Sequence, residues 1–223
     1  MKNILTKLLW PVVIAPAIYL ALVWNQLPAR IAMHFDLGGN PDRYGNKQEL
    51  IGLTAILAVM NLFVYFLLTN VYRIDPKRYA IENKERLRRI AFAVAVFISA
   101  ILFMIIYSSI SGSTKPMMGF IFSGVGLLFA IIGNYLPNLK PNYFAGLRLP
   151  WTLEDPENWK KTHALAGKLW FGGGLLLAIV CLFTTPVVSI VVFFVVMTII
   201  VIIPCVFSYR LFKQRKISGT SRS

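Results

Sequence analysis

Apolar residues run along this chain in long unbroken stretches, without the alternation of a sheet or the one-sided stripe of a soluble helix. The segments 8–29, 50–72, 90–114, 116–139 and 169–209 contain no Asp, Glu, Lys or Arg. A helix rises about 1.5 Å per residue, so about 20 apolar residues cross a hydrocarbon core. Four of the stretches suit one crossing each. The last is about twice as long as a crossing needs, and Thr184-Thr185-Pro186 breaks it near its middle, because proline has no N–H to give the helix ladder. The pattern predicts spans near 6–25, 50–71, 90–110, 117–136, 168–184 and 187–208, hence an all-α bundle of six transmembrane helices.

The first stretch has some marks of a signal peptide, with Lys2 and Lys7 ahead of it and Ala15-Pro16-Ala17 as a cleavage site. Its apolar run continues through Leu20, Leu22, Val23 and Trp24, whereas a cleaved signal has an apolar core of about 7–15 residues. A retained first helix is expected.

Composition agrees with the pattern. The chain has 223 residues, of which 57% are hydrophobic and 14% charged, against about 25% charged in a soluble domain. Its net charge is +14, and the distribution of that charge matters more than its size. The N-terminus, 73–89, 137–168 and the C-terminal tail hold 19 of the 23 Lys and Arg residues, while alternate loops hold only Arg30, Arg43, Lys47 and Lys115. By the positive-inside rule both termini are predicted to be cytoplasmic and loop 26–49 to lie outside. The charge is therefore a topology signal, and no direct contact with nucleic acid is expected. Cys181 and Cys205 fall in separate spans and read as small packing residues.

The chain divides into 1–72 with two spans and the outer loop, 73–116 with a basic segment and the third span, and 117–223 with spans four to six. In the basic segment Asp75-Pro76 predicts an N-cap and first helical residue. Glu82 with Arg86 and Glu85 with Arg89 stand at ion-pair spacing, and Arg86, Arg88 and Arg89 suit headgroup anchoring. Asp155-Pro156 repeats the capping signal, with Glu157 in the first turn. From there Trp159, His163, Ala166 and Trp170 recur at helical spacing, predicting a short interfacial cytoplasmic helix that runs into the fifth span with its tryptophans at headgroup level.

Chemistry inside the spans is sparse. Their polar residues include Asn61, Ser99, Ser123 and Cys181, with Asn70 and Asn134 near span ends. A proton-coupled carrier generally keeps an ionisable residue there, and an intramembrane protease needs paired aspartates, a Ser–His pair or a histidine cluster. No catalytic residue, cofactor or metal site is assigned. Gly172-Gly173-Gly174 and the pairs Gly119/Ser123 and Gly126/Ala130 read as close helix packing. In the outer loop, Asp36-x-Gly38-x-Asn40-x-Asp42 has the form of a calcium loop, but Lys47 stands where a bidentate Glu is needed. A compact loop held by its own hydrogen bonds is expected there. His163 reads as a hydrogen-bonded structural residue.

Two sets of residues carry a resemblance. Leu27-Pro28, His34-Phe35, Gly38 with Gly39, Asp42 and Lys47 resemble the short module called DUF1648. Gly133-Asn134, Lys140-Pro141-Asn142, Gly146-Leu147-Arg148, Pro150-Trp151-Thr152-Leu153 and Trp159 resemble the signature of the SdpI family. Ala32, Asp36 and Leu149 depart from the usual residues of these motifs. The resemblance implies a bacterial multi-pass membrane protein that gives immunity to a secreted, membrane-active peptide toxin of the sporulation-delaying type. It also implies a signalling role, in which a cytoplasmic autorepressor is held at the membrane once toxin is sensed. On that reading Pro28, His34, Phe35, Gly38, Gly39, Asp42 and Lys47 form the toxin-binding outer loop. Asn134, Lys140, Pro141, Asn142, Gly146, Arg148, Pro150, Trp151 and Trp159 form the cytoplasmic signalling motif. Membrane lipid is the other expected partner, and oligomeric state is not legible. The alternatives are a small-solute or lipid transporter without proton coupling, lined by Asn61, Asn134 and the glycine-rich fifth span, and an envelope-stress membrane protein with another ligand.

Overall fold

The computed structural model describes residues 4–36, 40–77, 79–111 and 115–220. Six of its helices are long and apolar enough to cross a membrane. These are α1 (Ile4–Val23), α2 (Glu49–Asn70), α3 (Lys84–Ser111), α4 (Lys115–Tyr135), α6 (Pro156–Phe183) and α7 (Pro186–Thr220). A single turn, α5 (Pro150–Glu154), precedes α6. The six-span expectation holds, and the break in the longest apolar stretch falls at Thr184, which ends α6. The fold adds one element that the expected loop did not contain. Loop 26–49 carries the strands β1 (Arg30–Phe35) and β2 (Pro41–Asn46), paired as an antiparallel hairpin from Arg30↔Asn46 to Phe35↔Pro41.

Burial follows a seam on each helix. On α1 the buried residues are Leu9, Val13, Pro16, Leu20 and Val23, alternating steps of four and three, the spacing that keeps one stripe of a helix against a neighbour. That neighbour is α3, whose Ala91, Ala95, Ser99, Leu102 and Ile106 form the complementary stripe, while Leu87 packs on Val71, Leu136 and Leu139. Helices α1, α2 and α3 thus make one group, α4, α6 and α7 a second, and α3 joins them through α4. Leu22, Ile56, Phe63, Phe183 and Phe194 are exposed on the outer sides, as expected where the solvent is lipid and apolar surface need not be hidden.

The second group is built on close approach. Gly119, Gly126 and Gly133 of α4 recur every seven residues, and so do Gly167 and Gly174 of α6. A Cβ on Gly126 would lie 2.5 Å from the Ala178 nitrogen and 2.6 Å from the Gly174 oxygen. One on Gly133 would lie 2.5 Å from the Phe171 nitrogen. The backbones therefore touch directly, as small residues allow in a medium where packing rather than water expulsion drives association. Ser123 Oγ donates across this seam to the Ala178 carbonyl at 2.6 Å. Gly172 was expected to pack as well, but a Cβ there would meet nothing within 4 Å; it lies away from the seam, while Gly173 faces Ile200 and Val196 of α7. In the first group Asn61 Nδ2 donates to the Ala95 carbonyl (3.0 Å) and to Ser99 Oγ (3.2 Å), tying α2 to α3.

Asp75-Pro76 does not open a helix. Asp75 Oδ1 accepts from the Lys77 N–H and Oδ2 from the Tyr143 N–H, so a residue far along the chain claims the oxygen a cap would use. A 3-10 turn at Ala80–Asn83 leads into α3 instead. The expected ion pairs also change, one to a backbone bond and one by a residue. Arg86 donates to the Glu82 backbone carbonyl, and Glu85 pairs with Arg88 at 3.1 Å.

Candidate functional site

The segment after α4 is organised by one buried asparagine. A 3-10 turn at Leu136–Asn138 ends α4 and turns the chain away from the helix axis. Asn142 then uses its whole side chain on the loop it belongs to. Oδ1 accepts from the Phe144 and Ala145 N–H groups (2.9 and 2.7 Å), and Nδ2 donates to the Lys140 and Ala145 carbonyls (2.9 and 3.1 Å). Apart from the Lys140 carbonyl, which Asn83 also reaches, those backbone groups would otherwise be left without a partner in a partly buried loop.

Gly146 and His163 lock the next turn. Gly146 has φ +100°, a left-handed conformation that only glycine adopts without strain. A Cβ there would also collide with His163 Nε2. That nitrogen accepts from the Leu147 N–H at 3.0 Å, so His163 is neutral with its proton on Nδ1, which donates to the Trp159 carbonyl at 2.8 Å. The imidazole is fully buried and stacks on the Trp159 ring with centroids 3.9 Å apart. It has the structural role expected of it. Trp159 is buried within the protein: it is 1% exposed, and its Nε1 donates to the Leu139 carbonyl at 2.7 Å. The carbonyl at the end of the 3-10 turn lacks a helical donor, and the indole supplies one. The helix of 156–183 is continuous, and the single turn α5 stands directly before it.

A second buried network joins α5, α6 and α7. Asn158, Thr162 and Ser208 are fully buried. Ser208 Oγ and Thr162 Oγ1 donate to Asn158 Oδ1, while Asn158 Nδ2 returns a bond to the Ser208 carbonyl. Trp151 Nε1 donates to Ser208 Oγ at 3.0 Å, and its ring packs on Tyr209 and Phe212. Thr152, also fully buried, donates to the Leu147 and Leu149 carbonyls and accepts from the Leu149 N–H. None of Asn83, Asn158, Thr162 or Ser208 was singled out from sequence. The one available signal was local: Asn158 and Thr162 stand four apart beside Trp159 and His163, on a face too polar to meet lipid.

Asp155 caps α6 as expected, accepting from the Glu157 and Asn158 N–H groups, and it also pairs with Arg215 of α7. Burial works against its charge. The Asn158 N–H, the Arg215 guanidinium and the Glu157 N–H outweigh that and hold its carboxyl below the usual aspartate range. A carboxyl with a lowered folded pKa stabilises fully above its unfolded value, and that contribution is lost as pH falls through the folded one. The α6–α7 tie is therefore complete at neutral pH and fades below about pH 4. Asp155→Ala is expected to cost about 1 kcal/mol through the cap alone. Hydrogen-exchange protection factors at residues 157–160 should fall in acid for the parent chain and be lower and flatter with pH in the variant.

The loop also fastens the first helix group. Asn83, fully buried, donates to the Lys140 carbonyl and accepts from the Lys140 N–H, at 3.0 and 2.9 Å. Lys77 Nζ donates to the Leu153 carbonyl and lies over the Tyr143 ring. Arg148, exposed, donates to the Tyr143 carbonyl at 2.7 Å, closing loop 143–148 rather than reaching the end of α4. Of the other motif residues, Pro141 is buried and Pro150 starts α5. Asn134 is exposed on α4, apart from this cluster.

At the opposite end, the hairpin brings most of the outer motif together. His34 Nδ1 lies 2.6 Å from Asp42 Oδ1, and both side chains are exposed. Asp36 holds the tip by accepting from the Asn40 N–H and side-chain amide. Lys47 Nζ reaches the Trp24 carbonyl and lies over its ring. Gly38 and Gly39 lie outside the described residues. Ile31 is buried among Leu27, Leu50 and Ile106, and Met33 packs against this cluster. Between hairpin and helices lies a cavity of about 330 Å³, lined by Pro28, Met33, Phe35 and Tyr44 above and by Leu53, Ile105 and Met117 below, with Arg30 also on its wall.

Comparison with known proteins assigns both ends. Residues 138–208 match the SdpI/YfhL protein family, and residues 12–59 match a domain of unknown function, DUF1648. The Immunity protein SdpI of Bacillus subtilis is 23% identical over 151 residues, 66% of this chain and 67% of that protein. An uncharacterized protein of Archaeoglobus fulgidus is 40% identical over 42 residues, 19% of this chain and 23% of that protein. No solved structure matches the chain.

Proposed function

We propose that this chain, a multi-pass protein of the bacterial cell membrane with an SdpI/YfhL region at 138–208 and a DUF1648 region at 12–59, is an immunity-type membrane protein. It protects the cell that carries it from a secreted membrane-active peptide. On this reading the hairpin faces outward and the basic end faces the cytoplasm, in keeping with where the Lys and Arg residues lie. The observation that carries the reading is the apolar cavity of about 330 Å³ roofed by the hairpin. It suits an apolar side chain or short segment of a peptide arriving along the membrane surface, and it lies within a chain similar to the Immunity protein SdpI.

The second half of the proposal is signalling. Segment 137–155 bonds to the turn that leads into α3, to α6 and to α7, so a shift between the two helix groups would be expressed in that segment. Its exposed residues, Lys140, Tyr143 and Arg148, are the surface we assign to a cytoplasmic repressor. Coupling of this kind requires that peptide and repressor favour the same one of two bundle arrangements. A photo-crosslinking residue in place of Tyr44 should capture a labelled toxin peptide from the outer side, while the same residue in place of Lys161 should not. Equal capture at both positions, or none at position 44 with a peptide the chain protects against, would contradict the reading.

A further inference from the structure

A second cavity, of about 640 Å³, opens at the basic end between the start of α3, the turn after α4 and the start of α6. Its floor is made by Pro137, Leu139, Pro141 and Trp159, and Arg86, Lys140 and Lys160 stand around it. The carboxylates on its wall are already matched. Asp155 is bound to Arg215 and to two backbone N–H groups, and Glu157 pairs with Lys161 at 3.4 Å. Arg86 spends one nitrogen on the Glu82 carbonyl. Among the described residues the Lys140 and Lys160 ammonium groups have no hydrogen-bond or ion-pair partner. The cavity thus combines an apolar floor with an excess of positive charge at the level where the helices leave the apolar stretch.

We infer that this cavity binds a phosphate-bearing anion, with Lys140, Lys160 and Arg86 around the phosphate and the proline-lined floor against the glycerol or acyl portion of an anionic phospholipid. Two features favour such an occupant. Basic pockets between membrane helices at this depth hold anionic headgroups, each Lys or Arg contributing about 1 kcal/mol. The prolines and Trp159 give the floor a fixed shape, because Trp159 is held by the Leu139 carbonyl and by stacking on His163. The site shares Lys140 with the surface assigned to a repressor, but lipid binding is read without reference to immunity. Bound lipid would bridge α3 to α6 across the loop that Asn83 and Lys140 already join.

The test is native mass spectrometry of the full chain in neutral detergent, titrated with phosphatidylglycerol, with phosphatidylcholine, or with inorganic phosphate. One phosphatidylglycerol molecule should be retained in preference to phosphatidylcholine. Its affinity should fall about fivefold for each of Lys140→Gln and Lys160→Gln, with Lys168→Gln and Lys213→Gln as controls outside the cavity. Retention of phosphatidylglycerol that inorganic phosphate does not displace identifies the lipid as the source of the anion. Displacement by inorganic phosphate, lost in the same two variants, identifies a free phosphate and retains the site. Equal loss in the control variants, or no loss in Lys140→Gln and Lys160→Gln, overturns it. Thermal unfolding of the phosphatidylglycerol-free proteins separates a lost site from a lost fold.

Discussion

Gly174→Leu is expected to abolish the folded bundle, whereas Gly172→Leu two residues away should be tolerated. A Cβ at 174 would lie 2.5 Å from the Ala130 nitrogen and 2.6 Å from the Gly126 oxygen, where carbon atoms in contact normally stand about 3.5–4.0 Å apart. The obstructing atoms are backbone, so no rotamer change relieves the clash, and α4 and α6 must separate along a seam that repeats every seven residues. Overpacking costs about 1–3 kcal/mol when side chains can give way. Here they cannot, and a loss above about 3 kcal/mol is expected. Position 172 faces open space, so leucine there adds only lipid-facing surface. Thermal unfolding in detergent distinguishes the two. The expected record is a strongly lowered midpoint or loss of folded yield for Gly174→Leu, and a midpoint near the parent value for Gly172→Leu. Similar midpoints would show that the seam is not where the second helix group is held.

Asn142→Ala carries the other large effect. The substitution leaves the Phe144 and Ala145 N–H groups and the Ala145 carbonyl without their partner, and the Lys140 carbonyl with Asn83 alone. An unsatisfied buried polar group costs about 1–3 kcal/mol. Water reaches part of this loop, so a total of roughly 3 kcal/mol is expected rather than the full sum. The consequence should spread, because Lys140 is also the docking point of Asn83 and Ala145 precedes the turn locked by His163. Hydrogen exchange should quicken across 139–149 and at the start of α3, while the protected centres of α4 and α6 change little. Exchange confined to 142–145 would mean that the loop does not hold the two helix groups together.

The spans were legible because the signal is one-dimensional: lipid demands about 20 apolar residues in a row whatever they pack against. The cap at Asp155-Pro156 was legible for a similar reason, since all its partners lie within three residues. Asp75-Pro76 reads the same in sequence and folds otherwise, because its second oxygen binds the Tyr143 N–H, 68 positions away. The hairpin was missed because Pro41, Asp42 and Gly45 are poor strand formers. Its pairing rests on Ile31 and Met33 meeting the bundle. The inner motif is legible as a signature, but its sequence does not say which of its side chains hold the fold. In the folded chain the work of the motif falls mainly to Asn142, Gly146, Thr152 and Trp159, with Asn83, Asn158 and Ser208 completing it from outside the motif. Those three partners are set by tertiary contact, and single polar residues give no periodic signal.

Survival of a toxin-sensitive cell tests the central claim most directly. The full chain, expressed in cells killed by a secreted membrane-active peptide of the sporulation-delaying type, is expected to restore growth. A Met33→Glu variant, which places a charge in the cavity beneath the hairpin, should reach the membrane in equal amount and lose that protection. Killing that is unchanged by membrane-resident parent chain across a panel of such peptides would contradict the account.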